Sequence, residues 1–217
     1  MENIEDILKR AVETEDDSER EKLYRIAAEQ GSAEAQKTLG DAYSHGWWSS
    51  VDRDYKEAFK WYSKAAEQGN CEAQMNIGIA YKEGLYVDQN YDEAVKWLCK
   101  SLEQVYVYPL NILQSLYKED KITEQAYYES IDIFRDAAEQ GNHEDHLTLG
   151  HYYENFEHNF KEAFKWYKKS AEQGNDSAQH NLGRYYYNAK GLPRTIVRLS
   201  NGIKQLPSKV EEWDRLI

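Results

Sequence analysis

Four histidines fall close together, His143, His146, His151 and His158, and they are the first place to look for metal or acid–base chemistry. His143 and His146 stand three residues apart, a spacing that brings two imidazoles to one helix face. A metal centre needs convergent ligands from at least three residues, and the two cysteines, Cys71 and Cys99, lie elsewhere in the chain. The cluster therefore reads as solvent or groove histidines, with no metal and no cofactor expected. The acidic pairs Asp16-Asp17 and Glu211-Glu212 have nothing around them to suggest the burial that makes a carboxyl a general acid. They read as solvated charges. No Gly-rich phosphate loop, nucleophile elbow or H-E-x-x-H pattern occurs. No catalytic residue is assigned and the chain reads as a non-enzyme. A histidine-based metal-binding or enzymatic protein is the alternative from another class.

The elements that hold these residues are set by a repeat. The phrase AEQG ends at Gly31, Gly69, Gly141 and Gly174, and a worn copy, SLEQV, ends at Val105, giving steps of 38, 36, 36 and 33 residues. Periods in this range mark a solenoid. In residues 32–70, Ala35, Leu39, Ala42 and Tyr43 share one face of a first helix. A second helix, from about Tyr55 to Gln68, carries Ala58, Trp61, Tyr62, Ala65 and Ala66 as its apolar stripe. Gly40, Gly78, Gly150 and Gly183 recur in mid-helix, where glycine costs up to about 1 kcal/mol relative to alanine. Close approach of the second helix explains that cost, with Ala58 expected to face Gly40. Gly69 ends the second helix as a left-handed C-terminal residue.

Composition bounds the function. The net charge of -12 argues against nucleic acid as a ligand, because phosphate binding rests on clustered Lys and Arg. It suits either a basic protein partner or solubility alone. Mean hydropathy is low at -0.91, yet the apolar positions are periodic, and 18 Tyr and 6 Trp bring large buried area with a polar tip. Two cysteines are too few for a disulfide framework and read as reduced, half-buried thiols. There is no signal-peptide pattern at MENIEDILKRAV and no long apolar run, so a cytoplasmic chain with no membrane partner, and a monomer, are expected.

The run A-x-x-x-L-G-x-x-Y followed by A-x-x-W-Y-x-x-A-A-E-Q-G-N resembles the Sel-one-like repeat (SLR) family, a relative of the tetratricopeptide repeat, over about residues 18 to 190. The resemblance implies an all-α fold, a right-handed α-solenoid of antiparallel hairpins whose first helices line a concave groove. It also implies an adaptor or scaffold role without catalysis. The division that follows is an N-terminal capping hairpin over 1–31, repeats over 32–70 and 71–105, a degenerate repeat over 106–142, a repeat over 143–175, and a partial repeat with a divergent cap over 176–217.

Departures from the pattern are informative. The loop HGWWSSVDRD carries Trp47 and Trp48, which form either a contact site or a flap folded back over the hairpins. The degenerate copy has Pro109 in its first helix and Gln114 in place of the glycine. Residues 1–31 hold ten acidic and five basic residues, an acidic cap that is either a docking site or merely solvated. From Lys190 onward there are six basic and three acidic residues with Pro193 and Pro207. That stretch is a divergent cap, a partner-binding tail or a segment foreign to the array.

With Leu, Gly and Tyr of each first helix as anchors, the groove-facing positions are predictable. They are Glu34, Lys37, Asp41 and Ser44; then Glu72, Met75, Ile79 and Lys82; then Tyr108, Asn111, Ser115 and Lys118. The fourth copy contributes Glu144, Leu147, His151 and Glu154, and the fifth Ser177, His180, Arg184 and Tyr187. Met75, Ile79 and Leu147 place apolar groups near the middle, as a contact surface would, unless neighbouring repeats cover them. The expected function is a protein-interaction scaffold that holds a partner protein in the groove. Its sharper form is an immunity protein masking a basic cytoplasmic bacterial toxin, and the alternative is a signalling or assembly adaptor.

Overall fold

The computed structural model describes residues 3–48, 51–104 and 107–188, with the side chains of 186–188 outside the description. Every regular element among them is an α-helix. The chain divides into two compact units, residues 1–134 and 135–217. In the first lie α1 (Ile4–Glu13), α2 (Asp17–Glu29), α3 (Ala33–His45), α4 (Tyr55–Glu67), α5 (Cys71–Glu83), α6 (Tyr91–Leu102) and α7 (Tyr108–Lys118). Helix α8 (Glu124–Glu139) runs across the division, and the second unit continues with α9 (His143–Asn155), α10 (Phe160–Glu172) and α11 (Asp176–Asn188). The architecture is the all-helical solenoid of paired helices that the repeat predicts.

The turn between hairpins explains the AEQG phrase. Gly31, Gly69 and Gly174 have φ of 98°, 88° and 91°, left-handed values that only glycine adopts without strain. The Ser32 and Asn70 amides then donate back to the Ala27 and Ala65 carbonyls at 3.0 Å, and the Gly31 and Gly69 amides to Ala28 and Ala66, the two bonds of a Schellman ending. The residue after each glycine starts the next helix, since the Ser32 and Asn70 side chains accept from the Ala35 and Ala73 amides. Gly141 does not share the positive φ. There, Asn142 and Asp145 form a capping box instead.

The glutamine of AEQG belongs to a ladder. Gln36 is buried, donates to the Ala28 carbonyl at 2.9 Å and accepts from Gln68 at 2.7 Å. Gln74 repeats this with Ala66 at 3.2 Å and Gln104 at 3.0 Å. A buried amide must find such partners, and each of these finds one on the preceding hairpin and one at the end of its own second helix, so the ladder ties adjacent hairpins together.

Within a hairpin the register is set at the mid-helix glycine. A Cβ at position 40 would lie 2.5 Å from Tyr62 Cδ1, at 150 it would lie 2.6 Å from Tyr167 Cδ1, and at 78 it would lie 2.8 Å from Leu98 Cγ. The notch thus receives the large side chain of the second helix, and at position 40 the nearest atoms belong to Tyr62 where Ala58 was expected. The alanine expectation holds in part in the next hairpin, where the Ala94 carbonyl oxygen approaches position 78 to 3.2 Å. The N-terminal hairpin closes its end of the first unit with Ile7, Ala11, Leu23 and Ala27 buried. Pro109 is tolerated because it stands in the first turn of α7, where its missing N–H has no intrahelical partner to lose. Cys71 and Cys99 are free and half-buried. Burial pushes the Cys99 thiol up to about 11 and raises that of Cys71, which leaves both as unreactive thiols at neutral pH. The residues from Ala189 on, including the stretch from Lys190 read as a divergent cap, lie outside the described residues.

Gly40→Ala and Gly150→Ala should each lower stability by about 1–3 kcal/mol through overpacking, although alanine is the better helix former. Urea unfolding checks this, and an unchanged or higher midpoint for both would refute the notch.

Candidate protein-binding site

The positions expected to face the groove are brought together pairwise between neighbouring hairpins, but several are committed to the fold. The Lys37 ammonium bridges Asp41 at 3.1 Å and Glu72 of the next hairpin at 2.5 Å. Asp41 is buried and accepts from the Tyr62 hydroxyl at 2.8 Å. The second unit repeats the theme with other residues. Glu154 is buried and accepts from the Tyr167 hydroxyl at 2.7 Å and from Arg184 at 3.2 Å. Burial first, and the partner carboxylates after it, push the Tyr62 and Tyr167 phenols far above their ordinary range, so both stay hydroxyl donors. These charge-assisted bonds are each worth about 1.5–3 kcal/mol. Asp41 and Glu154 therefore hold hairpins together and are not open to a partner.

Leu147 is a correction. It is buried with Ala163, Tyr167, Ala178 and Leu182, because the following hairpin covers it. Met75 and Ile79 stay half-buried. Glu34, Asn111, Lys118, Ser177 and His180 are exposed, as is Tyr108 at 59%. Ser44 is half-buried, Lys82 pairs with Glu83 and Ser115 donates to Glu119 at 2.7 Å. Glu144 accepts from Asn175 at 2.9 Å, and His151 meets Asn181 at 3.1 Å. The Tyr187 side chain lies outside the described residues. The loop tryptophans differ in exposure. Trp48 is buried and stacks on Tyr24 at 5.5 Å, whereas Trp47 is 60% exposed and stacks on His45 at 4.7 Å.

Comparison with known proteins accounts for the repeat. The Sel1 repeat model matches residues 21–32, 33–70, 71–106, 149–175 and 176–195, more than half of the chain. The chain belongs to the Sel1 repeat family. Residues 107–148, which hold most of the degenerate repeat, lie outside the matched segments. No curated protein matches the chain. Among solved structures it is similar to c5321, a protective antigen of uropathogenic Escherichia coli with an SLR fold, at 30% identity and a TM-score of 0.54 over 93% of this chain. This chain spans 48% of that protein's length. It is also similar to a Sel1 repeat protein from Oxalobacter formigenes, at 25% identity and a TM-score of 0.58, over 92% of this chain and 86% of the other. A third similarity is to the immunity protein Pa5087 of Pseudomonas aeruginosa, at 21% identity and a TM-score of 0.48, covering 92% of this chain and 80% of the other.

Against the Sel1 grammar of this chain, one residue stands out. Four positions before the helix glycine the first helices carry Gln36, Gln74 and Gln179, but α9 carries His146. It is buried against Trp166, ring centroids 5.6 Å apart. No hydrogen bond of normal geometry satisfies either ring nitrogen, although Gln173 and the Glu139 backbone lie beside it. Sequence periodicity placed His146 in a histidine cluster, whereas register against the other copies would have identified it as a ladder position. The four histidines do not converge: His143 contacts Asn175, His151 edges onto Tyr167, and His158 meets the Glu154 carbonyl. Among the described residues no three His, Cys, Asp or Glu side chains form a metal-ligand group. No described helix is long and apolar enough to cross a membrane.

Burial first, and the Lys169 ammonium second, lower the His146 pKa against the opposing pull of Asp145 and Gln173. The unfolded chain therefore takes up this proton before the folded one does. Stability from the neutral ring is present above about pH 6.5 and declines as the pH falls below it. Thermal melts at pH 7.5 and 5.5 should show the decline, and His146→Gln, which restores the ladder residue, should reduce it. An equal decline in both proteins would refute this role.

Proposed function

We propose that this Sel1 repeat chain is a non-catalytic scaffold that captures a basic protein partner, with its first unit providing the attraction. The observation that carries the reading is where the charge lies. Residues 1–134 hold 27 acidic and 15 basic side chains, whereas residues 135–217 hold 12 of each. The whole net charge of -12 thus belongs to the first unit. Acidity serving only solubility has no reason to be confined to one unit. A field of one sign over one surface raises association rates and selects partners of opposite charge. A small basic toxin acting in the cytoplasm, such as a nuclease, is the partner class this suits best. The chain would then act as its immunity protein, holding the toxin by surface complementarity without chemistry.

Affinity capture from native extract, with mass spectrometry of what is retained, tests the reading. The comparison protein carries Glu5, Glu13, Glu15 and Glu29 changed to Gln. A basic protein retained by the native chain, released by salt, and captured about ten-fold more slowly by the variant at low ionic strength is the expected result. Retention of neutral or acidic proteins, equal for both chains, would overturn the electrostatic reading and favour a signalling or assembly adaptor.

A further inference from the structure

Two adjacent hairpins of the first unit differ at one place in a correlated way. After the helix glycine, α3 has Asp41 and α5 has Ile79; opposite the glycine, α4 has Tyr62 and α6 has Leu98. The polar pair of the first hairpin has become an apolar pair in the second. Where the two hairpins meet, Tyr62 and Ile79 line a cleft of about 50 Å³ together with Ser44, Tyr55, Phe59 and Leu85. Its volume equals that of roughly four water sites, yet its walls are mostly hydrocarbon and ring faces, which hold water poorly. The end of one apolar side chain suits it better.

The rim of this cleft is strained. Tyr86, next to Leu85, has φ of 66°, a left-handed backbone that a bulky side chain rarely adopts. Its ring is 56% exposed and leans on Phe59 at 6.2 Å. A glycine would fit this backbone without strain, and a mostly exposed ring contributes little packing in return. Strain held in place at a surface residue points to a role outside folding.

The charge around the cleft selects the rest of the ligand. Asp41 and Glu72 lie beside the Tyr62 phenol of the inner wall, and the unit as a whole carries the -12 excess. Lys37 already bridges both carboxylates, and Arg53 over Tyr55 and Lys56 over Tyr86, each 5.9 Å from the ring, add positive charge at the rim, so the attraction for basic flanks comes from the unit as a whole. We propose that the cleft takes a single leucine- or methionine-sized side chain from a partner segment whose flanking residues are lysine or arginine, with Tyr86 closing over the anchor. This rests on the capture reading above and gives it an address.

The probe is a labelled peptide, Gly-Lys-Lys-Gly-Leu-Gly-Lys-Lys-Gly, titrated onto the full chain at low salt, beside a version with Gly for the central Leu and one with Glu for each Lys. The leucine peptide should bind about ten-fold or more tighter than the glycine version, as burial of one aliphatic side chain gives, and should shift the Ile79 and Leu85 methyl resonances. Tyr86→Gly should raise the thermal midpoint while reducing affinity for the leucine peptide alone. Equal binding of the leucine and glycine peptides would overturn the cleft and leave acidic capture standing. Equal binding of the glutamate version would overturn the basic flanks. Failure of both lysine peptides to bind would overturn the cleft and the capture reading together. A lower midpoint for Tyr86→Gly would make Tyr86 a packing residue and remove it from the site.

Discussion

The close approach of two helices at a glycine is the constraint on which the hairpins depend. Because positions 40 and 150 have no side chain, the rings of Tyr62 and Tyr167 enter the notch, and entry carries each hydroxyl to a buried carboxylate, Asp41 or Glu154. Each carboxylate in turn is joined by a cation that reaches across hairpins, through Lys37 to Glu72 or from Arg184 to Glu154. A backbone feature thereby decides which surface charges are structural. The second hairpin shows the dependence by contrast. With Leu98 in the notch there is no hydroxyl to satisfy, and Ile79 stands where the carboxylate was.

Much of the fold was legible because each repeat states the same local rules several times. Four copies of AEQG, each followed by Ser or Asn, encode a helix end, a left-handed turn and a new cap, and all three operate at Gly31 and Gly69. The groove was less legible. Helical periodicity assigns a residue to a face of its own helix, and it cannot say whether the next hairpin covers that face. Leu147 and Met75 occupy the same position, two residues before their leucine or isoleucine anchor, yet Leu147 is buried in a cluster with Ala178 and Leu182 of α11 and Met75 is half-buried. Tyr86 carried no sequence signal, because a left-handed φ at a non-glycine residue is imposed by its surroundings.

His146 illustrates what alignment of a chain with itself can reveal. Viewed alone, a histidine near other histidines suggests ligation. In register with Gln36 and Gln74 it is a substitution in a ladder whose members donate to the preceding hairpin and accept from the second helix of their own. A neutral imidazole offers one donor and one acceptor at fixed positions on a rigid ring, so it fills the space of the amide without reproducing its bonds. Stacking on Trp166 supplies the packing that keeps it in place.

Redundancy also explains where function can reside. A solenoid is stable by the sum of its nearest-neighbour contacts, so positions that obey the repeat in every copy are occupied with holding those contacts. Recognition is left to positions where copies differ and the side chain is reachable: Ile79, the strained Tyr86, and the exposed Trp47. All of these lie in the unit that carries the net negative charge. Charge of one sign provides range without precision, because it is screened within about 8 Å at physiological ionic strength. A small apolar cleft provides precision without range. A surface that must both find and retain one protein among many needs the two together, and the first unit of this chain is where they coincide.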